Sequence, residues 1–120
     1  MWTRTLADCE VFLAGDHTVL RELLHPAKQA AQVGYSLAHG TLAPGRRSKR
    51  HRLASSEVYY FIAGDGRFVL DGVTRSVGRG TVVYVPPGGV QHVENTGTVE
   101  LEFLCLVEPA WKPEDEQVLE

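Results

Sequence analysis

The chain has 120 residues, of which 43% are hydrophobic and 22% charged, with a formal net charge of −3. That length suits one domain with a single core, and the mild acidity argues against a dedicated nucleic-acid binder. Residues 1–10 carry Arg4, Asp8 and Glu10 and no apolar stretch, so they do not read as a signal peptide, and no apolar run approaches a membrane span. Cys9 and Cys105 are the only cysteines, too few for a disulfide framework, so a reduced, cytoplasmic protein is expected.

Short apolar segments recur between Gly and Pro residues, the pattern of a sandwich or barrel of short strands. Glu10–Ala14 and Thr18–Leu24 read as two strands around Gly15-Asp16. Val33–Leu42 is a third, ended by Ala43-Pro44-Gly45. Val58–Ile62, Arg67–Leu70 and Val73–Val77 follow, with Asp71-Gly72 as a two-residue hairpin turn that needs positive φ. Thr81–Val85 runs into Pro86-Pro87-Gly88-Gly89, where Pro cannot donate to a ladder and Gly permits a reversal. Val90–Glu94 and Val99–Val107 complete the set. The acidic tail Pro109–Glu120 is expected to form a short helix after Pro113.

Alternate residues of a strand face the same side. With Glu100 and Glu102 turned to water, Leu101, Phe103, Cys105 and Val107 point inward. If Glu57 faces in, so do Tyr59 and Phe61. If Gln91 faces in, so does Val93, and His92 and Glu94 face out. A bulge at Gly88-Gly89 would reverse that choice.

Two stretches, GRRSKRHRLASSEVYYFIAG at 45–64 and GTVVYVPPGGVQHVEN at 80–95, resemble the two sequence blocks of the cupin family, G-x5-H-x-H-x3-E-x6-G and G-x5-P-x-G-x2-H-x3-N. Gly45, His51, Glu57 and Gly64 fall in register in the first, and Gly80, Pro86, Gly88 and Asn95 in the second. Leu53 stands where the first block has its second His, and Gln91 stands at the His of the second. Further segments, including Leu20–Pro26, Ser36–Gly45 and Leu101–Leu119, are similar to small single-domain cupins of the mannose-6-phosphate isomerase-like kind. The resemblance implies an all-β fold, a double-stranded β-helix (jelly-roll) barrel with a short C-terminal tail. It implies a single cupin domain over 1–120 with its core barrel at about 33–108. It also implies a homodimer, since small cupins pair through their N-terminal strands and so cover exposed edges.

In cupins the two His of the first block, its Glu and the second-block His hold one metal ion. The corresponding set here is His51, Glu57 and Gln91. Imidazole, carboxylate and amide oxygen suit a divalent Fe, Mn, Ni or Zn ion, and three protein ligands leave positions open for a reactant. Leu53 in place of His and Gln91 in place of His weaken such a site. The competing arrangement has His51 and Glu57 as hydrogen-bonded partners in a metal-free pocket. Leu53, Tyr59, Phe61, Phe103 and Cys105 are the expected substrate-pocket residues, although core packing explains the aromatic ones equally well.

Arg46, Arg47, Lys49, Arg50 and Arg52 form a basic run before the barrel mouth. It reads either as a funnel for an anionic substrate or as a solvated loop. His39 is a possible pocket residue from the third strand, and Trp111 is expected to dock the tail. The functional expectation is a metal-binding cupin acting on a small anionic or hydroxylated molecule, with isomerase- or dioxygenase-like chemistry. The alternative is a non-catalytic cupin that binds a sugar or metabolite, and a structural dimer with a vestigial pocket is a third reading.

Overall fold

The computed structural model describes residues 1–120. Eleven strands form two antiparallel sheets. They are β1 (Val11–Leu13), β2 (Val19–Leu24), β3 (Ser36–Leu42), β4 (His51–Leu53), β5 (Ser56–Ala63), β6 (Asp65–Leu70), β7 (Val73–Gly78), β8 (Val82–Val85), β9 (Gln91–Asn95), β10 (Leu101–Glu108) and β11 (Glu116–Val118). One sheet runs β1-β2-β3-β10-β5-β8 and the other β11-β4-β9-β6-β7. Face to face they make the jelly roll, with both inner faces supplying one core.

The period-2 pattern sets which side chains enter. On β10, Leu101, Phe103, Cys105 and Val107 are buried, and the residues between them are more exposed. On β5 the buried set is Glu57, Tyr59 and Phe61, and on β9 it is Gln91, Val93 and Asn95. Tyr59, Phe61, Phe68 and Phe103 form one aromatic cluster. Tyr59 meets Phe68 edge-on at a centroid distance of 4.9 Å, and Phe61 lies 5.4 Å from Phe103. Both distances suit aromatic attraction, and each fully buried Phe contributes about 2–3 kcal/mol of burial.

The spacing of the two blocks is explained by turns. Gly64 has φ +86°, and a Cβ there would lie 2.6 Å from the Glu100 carbonyl oxygen. Only glycine permits both that backbone and that approach between β5 and β6. Asn95 ties the β9 end to its neighbours. Its amide nitrogen donates to the carbonyls of Leu42 at 2.9 Å and Val99 at 2.8 Å, and its oxygen accepts from the Gly97 N–H at 2.9 Å.

Several elements differ from the sequence expectation. Residues 51–53 form a strand of their own, because β4 sits between β9 and β11 and is paired on both edges. The third strand starts at Ser36, not Val33. The tail does not continue as a helix. A single 3-10 turn at Pro113–Asp115 leads into β11, which pairs with β4 in the register Glu116↔Leu53 and Val118↔His51. The tail is therefore part of a sheet, and Trp111 anchors it. Its backbone N–H donates to Ser36 Oγ at 2.9 Å, and its carbonyl lies 2.7 Å from His25 Nε2.

Candidate functional site

The aromatic cluster floors a cavity of about 470 Å³ between the sheets. Its polar side is made by Glu57 from β5, His51 from β4 and Asp16 from the β1–β2 turn. Leu53, Tyr59, Phe103 and Cys105 line it as well. Phe61 does not. It is fully buried in the core behind Tyr59 and Phe103, which corrects the expectation that it forms pocket wall. Parity fixes the face on which a residue points, but not its depth along the barrel.

Gln91 is fully buried, so the interior choice over His92 rests on an unbroken ladder. β9 pairs with β6 without a register shift from Gly66↔Asn95 to Leu70↔Gln91, and His51 lies opposite Gln91 on β4. His92 faces outward, 3.4 Å from Glu94. His39 also lies outside the cavity, on the far face of its sheet, with Nε2 2.7 Å from Glu102 Oε1.

Three interior side chains form a continuous chain of hydrogen bonds. The Tyr59 hydroxyl donates to Gln91 Oε1 at 2.7 Å, and Gln91 Nε2 donates to Glu57 Oε1 at 2.8 Å. Burial dominates the electrostatics of Glu57 and raises its carboxyl from an ordinary 4.5 to about 7, offset in part by the Gln91 hydrogen bond and by His51. Burial likewise pushes the Tyr59 hydroxyl and the Cys105 thiol well above their ordinary values, with the neighbouring Glu57 charge adding to each. Neither Tyr59 nor Cys105 is therefore an acid at neutral pH.

His51 has oxygen acceptors at both ring nitrogens. Nδ1 lies 2.8 Å from the Lys49 carbonyl, and Nε2 lies 3.5 Å from Asp16 Oδ2. Asp16 is itself fixed, because its Oδ1 accepts from the Thr18 hydroxyl at 2.7 Å and the Thr18 N–H at 3.1 Å. Asp16 is the site residue that sequence reasoning missed. It reads locally as a turn former, and only the fold of the β1–β2 turn across the mouth brings it to His51.

His51, Glu57 and Gln91 do converge, yet their donor atoms do not fit a three-ligand metal site. The Gln91 oxygen accepts from the Tyr59 hydroxyl, and its amide N–H is aimed at Glu57, so on the Glu57 side it presents a hydrogen where a cation needs a lone pair. No group of three or more His, Cys, Asp or Glu side chains is arranged to hold a metal ion. No buried side-chain nitrogen or oxygen lacks a hydrogen-bond partner either. Glu57 and Gln91 are hydrogen-bonded to each other, whereas His51 is held separately by the Lys49 carbonyl and Asp16, so His51 and Glu57 are not hydrogen-bonded partners either.

The basic run stands apart from the cavity, and none of its five cations lines it. Arg47 and the backbone N–H of Arg50 bind the Glu120 carboxylate, and Arg52 Nε donates to Gln117 Oε1 at 2.8 Å. The acidic tail thus engages three of the five, Arg47, Arg50 and Arg52. Arg47 and Arg50 hold the Glu120 carboxyl down at about 2.

A family model for the cupin domain matches residues 38–107. An uncharacterised protein of Methanocaldococcus jannaschii is 34% identical over 110 residues, 91% of this chain and 87% of that one. An oxalate-binding protein of Thermotoga maritima is 28% identical over 92 residues, covering 76% and 71% of the two chains. Among solved structures, the Streptomyces nucleoside dehydratase Pac13 superposes with a TM-score of 0.80 over all of this chain and 92% of the other, at 21% identity. That last likeness is one of fold. No helix in the structure is long and apolar enough to cross a membrane. The two sequence blocks, the paired sheets and the matched family model lead to one conclusion: the chain belongs to the cupin domain family.

Proposed function

We propose that this cupin binds a small hydroxylated molecule in the interior cavity and moves a proton on it, with Glu57 as the acid–base group. The observation that carries the reading is the state of Glu57, a fully buried carboxyl on the cavity wall whose proton affinity is set near neutrality. A group so poised is available in both protonation states at working pH, as proton transfer requires. Gln91 and Tyr59 hold it in one orientation, and His51 supplies a second polar contact across the cavity. Such a site suits isomerisation or elimination, in which a carboxylate takes a proton from carbon and the carboxylic acid returns one to oxygen. Relatives whose names speak of oxalate binding and nucleoside dehydration support a small-molecule pocket in this family. No step is assigned to a divalent Fe, Mn, Ni or Zn ion, because the donor set at His51, Glu57 and Gln91 is turned to hydrogen bonding.

The test is turnover of a panel of neutral nucleosides, sugars and polyols by the parent and by Glu57→Gln. A substrate of the parent should lose at least about a hundredfold in kcat with Glu57→Gln, with little change in KM. Equal rates in the two proteins would remove Glu57 from the chemistry. The second reading, a binder without turnover, draws on the cavity's mainly apolar wall and fully satisfied polar groups. Saturable binding by the parent without product in any case would select it.

We also propose that two copies pair through the N-terminal strands. Val11, Phe12, Leu13 and Val19 are exposed on and beside the edge strand β1, and a second copy would cover them. Light scattering should give a dimer mass that Leu13→Asp reduces to a monomer.

A further inference from the structure

The cavity and the basic run carry opposite charge. The cavity wall includes the carboxylates of Asp16, Glu22, Glu57 and Glu116. Lys28, the one Lys or Arg of the wall, has its Nζ 2.7 Å from Glu22 Oε1, so that pair cancels. Asp16 and Glu116 remain on the wall with Glu57, and His51, 3.5 Å from Asp16, is the only other basic side chain there. Glu116 comes from β11 and accepts from Trp111 Nε1 at 3.0 Å, which holds its carboxylate at the rim. The β1–β2 turn meets β11 there, since a Cβ built on Gly15 would lie 3.9 Å from Glu116 Oε1 and 3.8 Å from Val118 Cγ2. The five cations of the basic run lie off the cavity wall, and three of them, Arg47, Arg50 and Arg52, are engaged by Glu120 and Gln117.

We infer that this cavity selects neutral or cationic ligands, such as a polyol, a nucleoside or an amine-bearing hydroxyl compound, over carboxylates and phosphate esters. Asp16 at the turn and Glu116 at the rim are the residues that set the preference. A low-dielectric cleft lined by one sign of charge concentrates counter-ions and repels co-ions. An anion entering would also leave its counter-charges in water and meet carboxylates inside with no free Lys or Arg to balance it, which is the costly way to bury charge. The inference rests on the reading that the Glu57 cavity is where the ligand binds.

Cys105 lines the cavity and serves as an internal reporter that requires no knowledge of the ligand. The parent chain would be treated with cationic (trimethylammonioethyl), anionic (sulfonatoethyl) and neutral (methyl) methanethiosulfonates. Modification of Cys105 would be followed by peptide mass mapping, which separates it from Cys9. Each rate would be divided by the rate on a free thiol. The fraction of Cys105 present as thiolate is common to all three reagents and cancels in the ratios. The expected ratio of cationic to anionic rates is about tenfold or more. It should fall towards one in the Asp16→Asn/Glu116→Gln double variant and in about 1 M salt, where the Debye length shrinks to about 3 Å. A Leu53→Cys chain with Cys105→Ser repeats the measurement from another point on the wall.

A ratio of one or below in the parent would overturn the inference. So would failure of even the neutral reagent to reach either thiol in the folded chain while it labels the urea-unfolded one, since a closed interior selects nothing. The two proposals fail separately. An inverted charge ratio would remove the ligand preference and leave acid–base chemistry at Glu57 standing. Unchanged turnover in Glu57→Gln would remove the chemistry and leave the charge ratio intact.

Discussion

Glu57 and Glu120 are the same kind of group in two opposite settings. Glu57 lies in the interior, where burial outweighs the Gln91 amide and the opposing charges of His51 and Asp16, and its carboxyl rises to about 7. Glu120 lies at the surface against Arg47 and Arg50, and its carboxyl falls to about 2. Inside, loss of water outweighs every neighbour. Outside, water remains and the hydrogen bonds from the Arg47 side chain and the Arg50 backbone decide, with their charges adding less. The number of charges near a group is therefore a poor guide to what it does. The exposed cluster closes a tail with its charges, while the buried carboxyl of Glu57 owes its poise near neutrality chiefly to the water it lacks.

The largest effect should come from breaking the interior network. Gln91→Ala leaves Glu57 and the Tyr59 hydroxyl without their shared partner and opens a void, so a loss of about 4 kcal/mol in urea unfolding is expected. A loss below about 1 kcal/mol would mean that water takes over the role of the amide.

The pH dependence of Glu57 comes next. Between pH 4.5 and about 7, the folded chain keeps a proton that the unfolded chain has released. Stability should therefore fall as pH rises through that window, by up to about 3 kcal/mol from this one group. Glu57→Gln has no such proton, so its stability relative to the parent should rise by that amount from pH 4 to pH 8. Parallel stability curves for the two proteins would show that burial does not govern this carboxyl.

A smaller effect sharpens the comparison at the metal question. Leu53 is buried, lines the cavity and shares the inward face of β4 with His51. Leu53→His should therefore add a second imidazole and tighten Ni or Zn binding by about tenfold, or about 1.4 kcal/mol, by calorimetry. The parent, purified without tag or chelator, should carry far less than one metal per chain. Near-stoichiometric metal that His51→Ala removes would reinstate the three-ligand site. The smallest effect belongs to the surface. Glu120→Gln should leave the urea midpoint at pH 7 unchanged within error, because exposed ion pairs contribute little. A clear drop would show that the tail is fastened by charge rather than by its pairing with β4.

Much of the fold was legible because the two blocks are chiefly turn codes. Gly45, Gly64, Gly80 and Gly88 all adopt positive φ, so their spacing records where the chain must reverse. Strand parity then placed Glu57, Tyr59, Gln91 and Cys105 inside, since a one-residue slip would have turned each outward. Parity could not separate Phe61 in the core from Tyr59 on the cavity wall. Asp16, β11 and the tail's grip on the arginines were out of reach for another reason. Each depends on a contact between segments distant in sequence, and nothing local to Gly15-Asp16 or Glu116–Val118 signals its partner. The ligand atoms of Gln91 were likewise undecided in the sequence, because an amide serves as donor or acceptor according to its neighbours.

The cavity draws its floor from inner strands and its rim from the β1–β2 turn and β11. These two kinds of wall are free to change at different rates. Substitutions at Tyr59, Phe103 or Leu101 disturb a packed interior and are tolerated only with compensating changes nearby. Substitutions at residues 13–18 or 111–118 alter the opening while both family blocks stay in place. New ligand preferences are therefore most accessible through exchange of those two peripheral segments. A library confined to them would vary recognition on a constant barrel and a constant Glu57.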